Sequence, residues 1–146
     1  MAIQAPATQK LVIRRKMPVP REDVYAAWTD PESMREWMCP GDVVSAEAKL
    51  DVRVGGSYRI LMKGGKQEYD HTGTYQIVEP PSKLAFTWIS KGTDNQQTLV
   101  TLEFLDHGKE SELVLTHERF ASESMMKRHH GGWAQIVEKL AGHLKK

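Results

Sequence analysis

The stretch SMMKRHHGGWAQIVEKL, residues 124–140, sets two adjacent histidines and two adjacent glycines just ahead of a tryptophan. Imidazole changes charge near neutral pH, so His129 and His130 could ligate a metal, move a proton or hydrogen-bond a ligand. A metal fits the spacing poorly. A zinc-protease helix needs two histidines four residues apart with a glutamate between them, and neither HHGGW nor THERF supplies that. Neighbouring helical positions point about 100° apart. His129 and His130 would therefore need a third ligand from a strand, with His117 the candidate, and no metal site is expected. Two readings remain: a polar member of the sheet–helix contact beside an exposed partner, or a polar group at the mouth of a cavity.

Other groups capable of chemistry are scattered. His117 shares a strand face with Leu113 and Leu115, where a histidine is either a satisfied core group or a ligand contact. Tyr58 and Tyr75 could offer hydroxyls or simply pack. If the protein is an enzyme, His117, Tyr75 and His129 are the acid–base candidates. Cys39 follows a helix C-terminus, where no dipole lowers its pKa, and reads as buried or inert. The sequence shows no Ser/His/Asp signature, phosphate-binding glycine loop or cysteine pair, and no cofactor is expected. Gly131 and Gly132 each cost about 1 kcal/mol relative to alanine inside a helix. Either a close approach of the helix to its neighbours or a loosened turn beside a cavity could offset that cost.

These groups must be positioned by a chain of 146 residues with net charge +1. That length implies one domain able to bury about two-thirds of its unfolded surface. The charge balance favours neither nucleic acid nor an anionic membrane, and Arg14-Arg15-Lys16 reads as a solvated strand face. The N-terminal MAIQAPATQK lacks a signal-peptide pattern, and no apolar run is long enough to cross a bilayer. A cytoplasmic location, with neither nucleic acid nor membrane insertion, is expected. A homodimer is left open.

Residues 1–10 read as a flexible tail, and residues 11–146 as a single domain. LVIRRKM (11–17) is a strand closed by PVP. REDVYAAWTD reads as a short helix and DPESMREWM as a second, with Asp30 as N-cap and Pro31 in the first helical position. From Val43 the period changes to two. Strands are expected over 43–54, 57–63, 69–79, 83–90, 98–105 and 112–120, joined by short hairpin connections. Helical periodicity returns at the end: Trp133, Ile136, Val137, Leu140 and Leu144 form one stripe, and Ser122 is a fitting N-cap. The expected fold is α+β: a curved antiparallel sheet of six to seven strands around a long C-terminal helix, with two short helices after the first strand.

Several segments together, VYAAWTDPESMREWM, VGGSYRI, GTYQIVEPPSKLAFTW, VTLEFLDHGKESELVLTHERF and GGWAQIVEKLAGHL, resemble the SRPBCC (START-like) superfamily. They are most similar to its branch named for the activator of the 90-kDa heat-shock protein ATPase (homologue 1-like). The resemblance implies a helix-grip fold with a cavity between sheet and helix. It also implies a choice among ligand carriers, polyketide cyclases and co-chaperone domains. The co-chaperone has a separate N-terminal domain, for which this chain leaves no room, so a chaperone partner is not expected.

The leading expectation is a binder of a small apolar or aromatic ligand, with walls rich in aromatics and few polar anchors. On the early elements the expected wall residues are Trp37, Tyr58, Ile60, Met62 and Tyr75. Phe86, Trp88, Phe104 and His117 follow on later strands, and Met126, His129 and Trp133 on the last helix. A cyclase- or hydrolase-like enzyme is the alternative, and a co-chaperone-like interaction domain comes third.

Overall fold

Alternation in the sequence builds the sheet. In SYRILMK, Tyr58, Ile60 and Met62 are buried and the residues between them are not, as a strand with one covered face requires. The computed structural model describes residues 9–145. Its elements are β1 (Gln9–Met17), α1 (Arg21–Trp28), α2 (Pro31–Trp37), β2 (Val43–Leu50), β3 (Ser57–Gly64), β4 (Glu68–Glu79), β5 (Lys83–Ser90), β6 (Thr98–His107), β7 (Glu110–Phe120) and α3 (Glu123–Leu144).

The strands form one antiparallel sheet in the order β1-β7-β6-β5-β4-β3-β2. After β1 the chain leaves through α1 and α2 to the far edge, then returns by hairpins until β7 pairs with β1. The curled sheet holds α3 against its apolar face, which is the α+β helix-grip arrangement read from the sequence. No described helix is long and apolar enough to cross a membrane.

Local chemistry sets the helix starts. The Asp30 side chain accepts a hydrogen bond from Glu32 N at 3.0 Å, with Pro31 beginning α2. Ser122 Oγ accepts from Met125 N at 3.1 Å at the head of α3. α3 buries Met125, Trp133, Ile136, Val137, Leu140 and Ala141, a stripe at helical spacing. A relay ties α2 to α3: Trp37 Nε1–H donates to Ser33 Oγ, and Ser33 Oγ shares a hydrogen bond with His143 Nε2, each at 3.1 Å.

Several boundaries differ from the sequence expectation by a few residues. β1 begins at Gln9, because Gln9 pairs with Phe120 across a register shift; residues 1–8 of the expected tail lie outside the described residues. β2 ends at Leu50 rather than Val54. Arg53 N bonds to Asp51 O at 2.9 Å, and Gly55 adopts φ +85°, which turns the chain. The loop KGTDNQ contains one 3₁₀ turn, Lys91–Thr93, capped by Ser90.

One irregularity places a side chain at the site. His117 and Phe120 are both buried, although an odd separation in a regular strand would put them on opposite faces. Arg119 adopts φ +73° within β7, and two residues of β7 oppose Lys10 at this point. This bulge turns Phe120 inward, where its ring lies 4.2 Å from that of His117.

Candidate functional site

His117 is fully buried and both of its nitrogens are engaged. Trp133 Nε1–H donates to Nδ1 at 2.9 Å. Because an indole nitrogen only donates, Nδ1 carries no proton and Nε2 does. Nε2–H therefore donates to Thr98 Oγ1 at 2.7 Å, and Thr98 passes its own proton to Trp88 O at 2.6 Å. The ring is neutral, and burial, with His129 and His71 close by, holds its pKa well below the ordinary value. His117 thus joins α3 to β5, β6 and β7 and leaves no nitrogen free for a substrate.

His129 is different. It is half-buried, one helical turn before Trp133, while His130 is exposed. Its Nδ1–H donates to Met125 O at 2.9 Å, so Nε2 is a lone pair. Burial lowers its pKa, opposed by the bond to Met125. Its ring packs edge-on to His117 at 5.2 Å and against Phe120 at 4.9 Å. Of the adjacent pair, His129 is the one facing the sheet.

A groove of about 930 Å³ opens here, between the first half of α3, the α2–β2 connection, and the neighbouring ends of β3, β4 and β5. Its apolar floor includes Met62, Trp88, Trp133 and Ile136. The indoles of Trp88 and Trp133 lie 4.9 Å apart at 54°. His71 and His129 are the imidazoles on its walls. His71 is buried against Trp88 at 4.6 Å, and burial pushes it down to about 4, against the opposing effect of its contact with Ile60 O.

A second cavity, between the sheet and the short helices α1 and α2, measures about 10 Å³, room for no more than a water. The expected wall residues therefore divide into three sets. Met62, Trp88, His129 and Trp133 line the groove. Tyr58, Ile60, Tyr75 and Phe86 line only the small cavity. Trp37, Phe104, His117 and Met126 line neither. Trp37 packs on Trp28 at 4.7 Å and Phe104 on Tyr25 at 5.3 Å, both under the short helices. On α3 it is Met125 that is buried, with Met126 half-exposed. Tyr75 is buried, its hydroxyl pushed up by loss of solvent, which makes it a poor proton donor or acceptor. Cys39 is buried and its thiol is also raised by burial.

Sequence reasoning missed His71. The signal was present: His71, Gly73 and Tyr75 alternate on one face of β4, so a buried Tyr75 implies a buried His71. Among the described residues, no three His, Cys, Asp or Glu side chains are grouped so as to hold a metal.

Gly131 and Gly132 border the groove. A methyl group at Gly131 would meet nothing within 4 Å, and one at Gly132 would meet only Pro40 Cβ at 3.7 Å. Close approach of backbones therefore does not require these glycines.

Comparison with known proteins bears on this architecture. The model of the activator of Hsp90 ATPase homolog 1-like protein family matches residues 18–145. The chain belongs to this family. No curated protein matches it. Among solved structures, the AHSA1 protein SPO3351 from Silicibacter pomeroyi is 25% identical over 94% of this chain and 98% of its own, with a TM-score of 0.78. CV1439 from Chromobacterium violaceum has a TM-score of 0.81 at 22% identity, covering 97% and 99% of the two chains. PFC0360w, described as an HSP90 activator from Plasmodium falciparum, has a TM-score of 0.75 at 20% identity, covering 93% and 96%. These structures share the helix-grip frame, and at such identities the last two speak to the fold alone.

Proposed function

We propose that this protein binds a small hydrophobic or aromatic molecule in the groove at the head of α3. One observation carries the reading. At the head of α3 the sheet and helix part to form a groove of about 930 Å³ floored by Trp88 and Trp133. That volume suits a drug-sized ligand; its floor is apolar, and its rim carries polar and charged residues such as Asp42, Glu68, Lys91, Asn95 and Arg128. His71 and His129 would supply the polar anchors. His129 Nε2 could alternatively act as a base toward a bound substrate, but no carboxylate or hydroxyl bonds its Nδ1 to form a relay.

The family's description supports a second reading, an interaction with the heat-shock chaperone. Native mass spectrometry of freshly purified protein, followed by calorimetry against a broad library of apolar and aromatic compounds, tests the first. A retained or titratable ligand is expected, displaced from the groove by Trp133→Ala or blocked by Gly132→Phe. Absence of binding across the library, together with stimulation of the chaperone ATPase by this chain, would favour the second.

A further inference from the structure

We infer that the groove selects an uncharged aromatic ligand bearing a hydroxyl donor, received by the free ring nitrogens of His71 and His129. This rests on the groove being the binding site and adds the chemistry it prefers.

The tautomers decide which polar atoms the groove offers. Met125 O can only accept, so the proton of His129 sits on Nδ1 and Nε2 is an acceptor. No protein group among the described residues bonds that Nε2, and it is not sealed from solvent. It lies beside Gly92, where a methyl group would come within 3.5 Å of it. His71 follows the same logic. Its Nδ1 faces Ile60 O at 3.4 Å, a long bond, with the Tyr69 backbone also bonding the ring, and no side chain among the described residues bonds its Nε2. Both rings line the groove, and charging either one raises the cost of charging the other.

The groove walls thus present two lone pairs beside two indole faces. A phenol-like hydroxyl donates to such a lone pair while its ring lies on the tryptophans. A carboxylate finds no donor at either imidazole, because neutral Nε2 repels it. The rim does not reverse this preference: Arg128 and Lys91 are offset there by Asp42 and Glu68, while Asp70 is paired with Arg59.

Binding of naphthalene, 2-naphthol and 2-naphthoate to the full chain, followed by tryptophan fluorescence and calorimetry at neutral pH, tests the inference. One neutral hydrogen bond predicts that 2-naphthol binds about five-fold tighter than naphthalene, and 2-naphthoate should bind more weakly than 2-naphthol. His129→Leu or His71→Leu should lower the ratio of naphthol to naphthalene affinity, with near-UV circular dichroism reporting that each variant is folded. Equal affinity for naphthol and naphthalene, tighter binding of naphthoate, or a preference that survives in both variants overturns the inference while leaving the groove as a binding site. If none of the three binds to the wild-type chain, the binding reading itself fails and this inference with it.

Discussion

Trp133 Nε1–H donates to His117 Nδ1 at 2.9 Å, joining the middle of α3 to the inner face of β7. That bond fixes the imidazole tautomer and gives His117 a structural role. It also explains why the tryptophan following the glycine pair faces the sheet. Beyond Trp133 the helix grips a filled interior. Before it, the helix borders an open groove.

Replacing His117 by leucine should therefore act on stability. The variant leaves the Trp133 N–H buried without a partner, and such a group costs about 1–3 kcal/mol. Urea unfolding should show that loss, with m unchanged. Stability equal to wild type would mean that the relay through Thr98 and Trp133 contributes little.

The buried imidazoles make stability sensitive to acid. His71 is lowered from 6.5 to about 4, so between those values the unfolded chain binds more protons than the folded one. Stability is then complete above about 6.5 and falls as the pH drops toward 4. His117 and His129 shift in the same direction. Asp70, Glu112 and Glu138 are also lowered, but their contributions fade only below the ordinary carboxylate range. Between about pH 7.5 and pH 5, His71 alone should remove about 2 kcal/mol. Urea midpoints measured across this interval should decline, and His71→Phe should flatten the slope.

Arg119 holds a left-handed conformation inside β7. That conformation costs an L-residue about 1–2 kcal/mol, part of which glycine returns as unfolded-chain entropy. Arg119→Gly should raise stability by about 0.5 kcal/mol, whereas Arg119→Val should lower it by about 1 kcal/mol or more. Paired thermal melts check both signs. The valine variant should also disturb the packing of Phe120 on His117.

The glycines separate into two kinds. Gly131→Ala and Gly132→Ala meet open space or ordinary contact, so each should stabilise α3 by about 1 kcal/mol. A methyl group at Gly73 would lie 1.9 Å from Thr87 O and 2.7 Å from the Tyr58 ring. Tyr58 OH donates to that same Thr87 O at 2.5 Å, so neither neighbour can yield cheaply. Gly73→Ala should cost several kcal/mol, enough to threaten a domain of ordinary stability. Thermal unfolding of the three variants distinguishes them.

Much of the frame was legible in the sequence. The change of period at Val43, the Asp30-Pro31 helix start and the stripe from Trp133 to Leu140 are local patterns, and each became the expected element. The site was legible only in part. Met62, Trp88 and Trp133 were recognisable as inward, but inwardness does not distinguish a groove wall from packed core. Phe104 is just as inward but packs against Tyr25 of α1, and Trp37, at the end of α2, packs on Trp28 of α1. His71 could have been recovered from the alternation that buries Tyr75.

By itself, then, the sequence determined the order of the elements and which faces are apolar, because backbone periodicity and capping act over a few residues. Only the tertiary structure decided which of those apolar side chains meet and which leave a gap. His129 and His130 differ by one position, and only the docking of α3 on β7 turns the first inward. The bulge at Arg119 brings Phe120 to His117, a placement no regular period predicts. The tautomers of His71, His117 and His129 follow from partners 4 to 19 residues away or more, such as Met125 O, Ile60 O and Thr98 Oγ1. Hydrogen-bond chemistry at the groove is therefore a property of the assembled fold.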